Sequence, residues 1–413
     1  MTNEVKNVPA LRFPEYSEEW EVKKLGEIAI IKGRLGWKGL KNEEYIENGY
    51  AYLVAGRHIK NGVINWSSTD QINKYRYDES PEIALEQNDI IFSKDGSLGN
   101  PALIKSMNKP ATINGTMMLV RVDTNKLNPH FFYQILLSSY FKRLIHLKVS
   151  GSSIPHLFQA DMKAFSIKAT NLSEQEKIGD FFSKLDRQIE LEEQKLAKLE
   201  EQKKGYMQKI FSQELRFKDG NGNNYSEWIK TNLKFLVSYK NGKGYEKEVV
   251  QNGKYNIINL NSISTKGMLK DSGKYSDFED ITLKKNDLIM ILSDVAKGNL
   301  IGKTAIIDQD DKYLLNQRVA SLRIKDESTS NVLFIYYFIN YFRQYFINMS
   351  TGMSQLNINK STVEDFLIYL PYIEEQDKIG NFFSNLDKSI IKQLDKIELL
   401  KERKKGFLQK MFV

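Results

Sequence analysis

The run of this 413-residue chain that comes nearest to a catalytic pattern is Gly298-Asn299-Leu300-Ile301-Gly302-Lys303-Thr304. A phosphate-binding loop wraps its anion with backbone N–H groups, so the number of residues between its two glycines is fixed. That count requires glycine at position 297, which is lysine here, so the run predicts a turn joining two strands. The four histidines, His58, His130, His146 and His156, have no metal-ligand spacing. No cysteine is present, which excludes disulfides, thiolate metal sites and thiol nucleophiles. No Pro-Pro pair occurs, so the Asn/Asp-Pro-Pro-aromatic signature of an adenine-methylating pocket is missing. The Asp and Glu residues form no paired nuclease-like pattern. The expectation is therefore a chain with no catalytic centre, no metal and no cofactor of its own, whose chemistry is recognition.

Composition bounds the kind of recognition. Lys and Arg number 60 against 52 Asp and Glu, giving a net charge of +8 and a pI near 9.1. A modest basic excess suits a polyanionic partner without requiring one. Hydrophobic residues make up 41% and aromatics 11%, enough for packed cores. The chain is too long for one ordinary core, so two domains with connectors are expected. Nothing approaches the roughly 18 consecutive apolar residues of a membrane span, and Met1 to Pro9 is polar, so a soluble cytoplasmic protein is expected.

The elements that must position any recognition surface are announced by a duplication. Leu172–Phe211 and Ile373–Phe412 align without a gap at an offset of 201 residues. About half of the aligned positions are identical, too many over such a stretch for coincidence. Glu174-Gln175, Lys177-Ile178-Gly179 and Phe181-Phe182-Ser183 match Glu375-Gln376, Lys378-Ile379-Gly380 and Phe382-Phe383-Ser384. Lys203-Lys204-Gly205 matches Lys404-Lys405-Gly406.

Apolar residues recur at steps of three and four in both copies. Ile178, Phe182, Leu185, Ile189, Leu196 and Leu199 form one stripe, and Ile379, Phe383, Leu386, Ile390, Ile397 and Leu400 form the other. A stripe that narrow is a helix-pair seam of coiled-coil type. Forty helical residues reach about 60 Å. Polar residues interrupt both stripes, at Glu192 and Lys203 and at Gln393 and Lys404. They either fix register at a cost in stability or mark where the stripe drifts off the seam.

Fainter echoes precede each helix. Leu11-Arg12-Phe13 leads to Tyr16-Ser17-Glu18-Glu19-Trp20, and Leu215-Arg216-Phe217 to Tyr225-Ser226-Glu227-Trp228. Asn88-Asp89-Ile90-Ile91-Phe92 and Asn286-Asp287-Leu288-Ile289-Met290 read as equivalent buried strands, as do Met117–Val122 and Val319–Ile324. An aromatic helix follows in each half, His130–Leu147 and Val332–Met349, with Phe334, Tyr337, Phe338, Tyr341 and Phe342 as core residues. Each is followed by a small-residue turn, Ser150–Pro155 and Ser350–Gln355. The sequences between these landmarks differ heavily. The order is thus globule, helix, globule, helix, an α+β chain of two pseudo-symmetric globular domains separated by two long antiparallel helices. The domain boundaries fall at 1–171, 172–214, 215–372 and 373–413. Approximate twofold symmetry also requires Leu11-Arg12-Phe13 to lie near the end of the second helix.

With the two Glu-Gln-x-Lys-Ile-Gly-x-Phe-Phe-Ser-x-Leu-Asp stretches at 174–186 and 375–387, the two Lys-Lys-Gly-aromatic endings and the paired Leu-Arg-Phe segments, the sequence resembles specificity subunits of type I restriction–modification systems. The likeness spans essentially the whole chain in architecture and is specific in the helices. One departure is Leu370-Pro371, where the first half has Ala169-Thr170. The resemblance implies that each globule is a target-recognition domain reading half of a bipartite, asymmetric double-stranded DNA sequence, and that the helices set the unread spacer. It also implies two adenine methyltransferase subunits as partners, and two ATP-driven translocase–endonuclease subunits where cleavage is added. S-adenosylmethionine, ATP and Mg would then sit on those partners. A reading from another class is a non-catalytic coiled-coil adaptor spacing two protein-binding domains.

Residues that meet DNA must be polar, reachable and carried on loops, with Arg or Lys suited to guanine and Asn or Gln to adenine. The candidates in the first half are Arg57, His58, Lys94, Ser97, Asn114, Ser152, Ser153 and His156. Those in the second are Asn259, Asn261, Lys297, Asn316, Gln317, Arg318, Ser354 and Gln355.

Overall fold

A computed structural model of the chain describes residues 7–36, 40–150, 155–295 and 299–412. The chain divides into two compact units. The first takes Met1–Gln194 with Asp395–Val413, and the second Lys195–Leu394. Four helices organise them: α1, Pro129–Leu137; α2, Leu172–Phe211; α3, Val332–Tyr341; and α4, Ile373–Met411. No helix among the described residues is long and apolar enough to cross a membrane.

Each unit repeats one topology. In the first, a four-stranded antiparallel sheet runs in the order Ala29–Gly33, Met117–Val122, Ile90–Ser93, Gly99–Leu103. Its counterpart in the second runs Val237–Asn241, Val319–Ile324, Leu288–Ile291, Thr304–Ile306. The Asn-Asp pairs expected before buried strands bound them for a physical reason. Asn88 and Asn286 take left-handed backbone, φ 71° and 70°, a region Asn tolerates better than bulkier residues. Asp89 and Asp287 are buried and gripped at both oxygens by Arg121 and Arg323 from the neighbouring strand, at 2.6–2.8 Å. A second sheet of three strands in each unit holds a parallel strand pair. These are Ala51–Val54 beside Ala111–Ile113, and Tyr255–Ile258 beside Tyr313–Leu315. Both units also share a two-stranded ribbon, Glu21–Lys24 with Ser166–Ala169 and Ile229–Asn232 with Leu367–Leu370. Each adds one of its own, Ile59–Lys60 with Val63–Ile64 and Ser293–Asp294 with Leu356–Asn357.

Most of each aromatic helix packs as core: Phe131, Phe132, Phe334, Tyr337 and Phe338 are buried. Tyr341 and Phe342 are a correction, since they lie at the end of α3 and are exposed, with their rings against Phe211. The expected single helix over His130–Leu147 is corrected to two. Buried Ser138 breaks it, its backbone extended and its hydroxyl donating to the Ile135 carbonyl at 2.6 Å, and a new helix starts at Ser139. The second half breaks likewise at Phe342–Arg343, before Gln344–Asn348.

The repeated Glu-Gln-x-Lys-Ile-Gly stretch is the joint between globule and long helix. Arg12 donates from Nε and Nη2 to Glu174 at 2.7 Å each. Arg216 does the same to Glu375 at 3.1 and 2.6 Å. Both carboxylates are fully buried. Gln175 accepts from the Asn128 N–H at 2.8 Å and donates to the Thr170 carbonyl at 2.6 Å. Gln376 accepts from the Asn331 N–H and donates to the Pro371 carbonyl, both at 2.8 Å. Because the carbonyl is what the glutamine uses, the Thr170/Pro371 difference leaves the joint intact. Asn128 and Asn331 in turn cap α1 and α3 through the Phe131 and Phe334 N–H groups.

Within each unit the start of one long helix runs antiparallel to the end of the other. In the first, Asp186 meets Lys404 at 2.6 Å and Phe181 meets Phe407. In the second, Asp387 meets Lys203 at 2.6 Å and Phe382 meets Tyr206. Of the residues expected in the seam, Ile178, Phe182, Ile189, Ile379, Phe383, Ile390, Ile397 and Leu400 are buried, and Leu185, Leu196, Leu199 and Leu386 are half-buried. The polar interruptions face the neighbouring helix rather than drifting off it. Lys203 and Lys404 take the ion pairs just named, Glu192 pairs with Lys396, and Gln393 is buried. In the first unit the Leu11 N–H donates to the Lys410 carbonyl at 2.8 Å. In the second the Leu215 N–H donates to the Lys209 carbonyl at 3.0 Å. The same contact thus closes both units, once within a turn and once between distant parts of the chain.

The helical glycines divide by environment. A Cβ on Gly179 would lie 2.9 Å from His130 Cβ, and one on Gly380 2.7 Å from Leu333 Cβ, whereas Gly205 and Gly406 face open space. Gly179→Ala and Gly380→Ala should each lower stability by about 1–3 kcal/mol through overpacking. Gly205→Ala and Gly406→Ala should raise it by up to about 1 kcal/mol. Chemical denaturation of the four variants checks the signs. A permutant that joins Val413 to Met1 through a short linker and opens between Gln213 and Glu214 should fold with native circular dichroism and a cooperative melt. Loss of the fold would show that the Leu215–Lys209 contact cannot close its unit without a covalent turn, as the Leu11–Lys410 contact does in the parent chain.

Candidate nucleic-acid interface

The parallel strand pairs end side by side, and the loops leaving them form one polar surface per unit. The Asn114 N–H donates to the Val54 carbonyl and the Asn316 N–H to the Ile258 carbonyl, both at 3.0 Å. A third loop joins from the large sheet. The Lys94 N–H donates to the Thr116 carbonyl and the Leu292 N–H to the Arg318 carbonyl, both at 2.9 Å. A fourth is pinned by the Leu157 and Ile358 N–H groups, which donate to the carbonyls of Lys94 and Leu292 at 2.9 Å. Backbone hydrogen bonds therefore hold the same four loops edge to edge in both units, whatever their side chains.

In the second unit Asn259, Asn261, Asn316, Gln317 and Arg318 line a single open concavity of about 410 Å³, together with Leu260, Glu246 and Lys274. A hydrogen bond from its own backbone N–H, and next the Gln317 amide that donates to it at 2.6 Å, hold the Glu246 carboxyl below its ordinary pKa. Asn259 caps its own loop through the Asn261 N–H. Gln355 lies on the neighbouring loop, donating to Ser293 at 2.5 Å, and Ser354 is exposed beside it.

In the first unit Arg57 is exposed and paired with Asp70. Lys94 pairs with Asp95 at 3.3 Å, and Asp95 also takes His156, whose ring lies against Phe158. Ser97 is exposed, and Asn114 accepts from Thr116 at 2.8 Å. His58 is a correction. It is 3% exposed, its Nδ1 accepts the Ala55 N–H at 3.0 Å, and burial lowers its pKa. Ser262 does the same for the Asn259 N–H in the second unit, so this position closes the loop from inside and is not presented on its surface. Ser152, Ser153 and Lys297 lie outside the described residues.

Sequence reasoning missed Asp70, Lys274 and Glu246. A signal for the first two existed. The 204-residue offset that sets Leu11 against Leu215 also sets Asp70 against Lys274 and Arg57 against Asn261. Glu246 had none, since only the fold brings it to Gln317.

The phosphate-loop-like run is a turn. Gly302 has φ 70° and its N–H donates to the Ile291 carbonyl, and a Cβ there would strike Phe346 at 2.6 Å; Gly298 lies outside the described residues. Burial, with Arg343 and Lys203 nearby, pulls the Lys303 ammonium down to about 8. No group of His, Asp and Glu among the described residues could hold a metal ion.

A duplicated α+β chain that carries an equivalent polar loop surface in each of its two units is a paired recognition scaffold. The profile for the type I restriction modification DNA specificity domain matches it twice, over residues 17–201 and 225–401, and the chain belongs to that family. Among relatives, the type I restriction enzyme MjaVIII specificity subunit of Methanocaldococcus jannaschii is 25% identical over 216 residues, 50% of this chain and 49% of that one. The MjaIX specificity subunit of the same organism is 29% identical over 150 residues, 36% and 33% of the two chains. The chain thus spans half or less of the length of these relatives in the matched regions. A crystal structure of the type I restriction–modification S subunit from M. genitalium covers 98% of this chain and 99% of its own with a TM-score of 0.66 at 17% identity, a likeness of fold.

Lys303 offers a pH test of this region. Its folded pKa lies below the unfolded value, so between about pH 8 and about 10.5 the unfolded chain binds more protons and stability rises with pH. Lys303→Met should be the more stable protein at pH 7, with the gap narrowing above pH 8. Melting temperatures of both proteins across that range check it, and a gap constant with pH would refute the assignment.

Proposed function

We propose that this chain is the DNA-reading, non-catalytic subunit of a type I restriction–modification complex. The target-recognition domains are residues 1–171 and 215–372, each reading one half of a bipartite, asymmetric duplex target. The helices at 172–214 and 373–413 set the spacer and help dock two adenine methyltransferase subunits. Those subunits carry S-adenosylmethionine, and two ATP- and Mg-dependent translocase–endonuclease subunits join where the system also cleaves.

The observation that carries this reading is that one loop surface is built twice on matching backbone bonds but with different chemistry. Arg57 stands where the second unit has Asn261, Asp70 where it has Lys274, and Asn114-Gly115-Thr116 where it has Asn316-Gln317-Arg318. Equivalent frames with exchanged donors, acceptors and charges are what two readers of different base sequences need. Two readers on one chain also raise each other's effective concentration, so modest half-site affinities combine.

Co-production of the chain with its methyltransferase partner, followed by genome-wide mapping of methylated adenines, tests the function. The expected result is one bipartite motif that disappears when this chain is omitted. No chain-dependent motif, with both proteins present and associated, would favour a protein-binding adaptor instead.

A further inference from the structure

We propose that Arg318 is a specificity-determining residue of the second unit and reads the guanine of a G·C pair; this rests on the DNA-reading function above. Four arginines belong to that unit. Arg216 is taken by Glu375, Arg323 by Asp287, and Arg343 by the carbonyls of Asn299 and Ile301. Arg318 is exposed, and its guanidinium is the one of the four with no hydrogen-bond or ion-pair partner among the described residues. It lines the polar concavity with Asn259, Asn261, Gln317 and Glu246.

Its backbone is as unusual as its freedom. Arg318 has φ 70°, a left-handed conformation that costs a bulky residue energy and persists only where its surroundings impose it. Those surroundings are on both sides of it. The Gln317 N–H donates to the Lys243 carbonyl at 2.7 Å, and the Arg318 carbonyl accepts from Leu292 at 2.9 Å. Glycine would occupy the position without strain, yet an arginine is held there, on the lining of the concavity.

The neighbours favour a base edge over a phosphate. A phosphate site gathers positive charge, whereas this concavity sets the Glu246 carboxylate and neutral amides beside Arg318, with Lys274 balancing Glu246. Arginine donates two parallel bonds to guanine O6 and N7 in the major groove, and a carboxylate accepts from the N4 amino group of cytosine. Both halves of a G·C pair thus have a partner in one concavity.

Arg318→Gly and Arg318→Ala, each in the full chain co-produced with the methyltransferase subunit, test this. Glycine removes the guanidinium but fits the backbone, so its thermal unfolding should match or exceed that of the parent, separating recognition from folding. The expected result is a methylated motif degenerate at one G·C position of one half, with discrimination there reduced about tenfold to a hundredfold and the other half unchanged. Methylation that falls uniformly with the motif unaltered, as loss of a phosphate contact would produce, overturns the proposal. So does an unaltered motif at full efficiency. A parent chain that directs no motif at all overturns the DNA-reading function, and this inference with it.

Discussion

Two buried carboxylates, Glu174 and Glu375, hold the rest of the structure in place. Each lies in the first turn of a forty-residue-scale helix and is gripped by an arginine that begins its own globule. A buried charge left unpaired costs several kcal/mol, and removing one partner of such a pair costs about 3–5. The geometry of the joint is therefore strongly enforced. Around it, the adjacent glutamine ties the capped start of the aromatic helix to the same turn, and a glycine one turn on lets the two helices approach. Three neighbouring features of one short motif thus dock a whole globule onto a long helix.

That rigidity explains how the loop surfaces can differ so much. The four loops of each surface are fixed by main-chain hydrogen bonds, which any residue type can make. Side chains there are released from structural duty except where they close the loop from inside, as His58 and Ser262 do. Opposite charges, Asp70 and Lys274, can occupy one position of the frame without disturbing it. The polar seam residues show the same division of labour. Lys203 and Lys404 each find an aspartate on the neighbouring helix, so apolar packing supplies attraction and ion pairs select the register.

Much of the scaffold was legible because its cause is local or periodic. The span of both long helices follows from apolar spacing, and the strands Met117–Val122 and Val319–Ile324 from short runs of buried residues. The breaks in the aromatic helices were not legible, since their apolar pattern continues across Ser138 and Phe342. At one break a buried hydroxyl bonds back to its own turn, and at the other an arginine is drawn to the carbonyls of a distant turn.

The amino-acid sequence by itself determined the duplication, the two helices and the lack of cysteine chemistry, because repetition, period and composition are properties of the chain alone. The tertiary structure decided which polar residues act together. It gathered Asn259, Asn261, Asn316, Gln317 and Arg318 around one concavity, brought in Glu246 and Lys274, and withdrew His58 into the interior. The reason is that a recognition surface is assembled from loops at the ends of strands that pair across nearly sixty residues. No local pattern records which loop ends will meet.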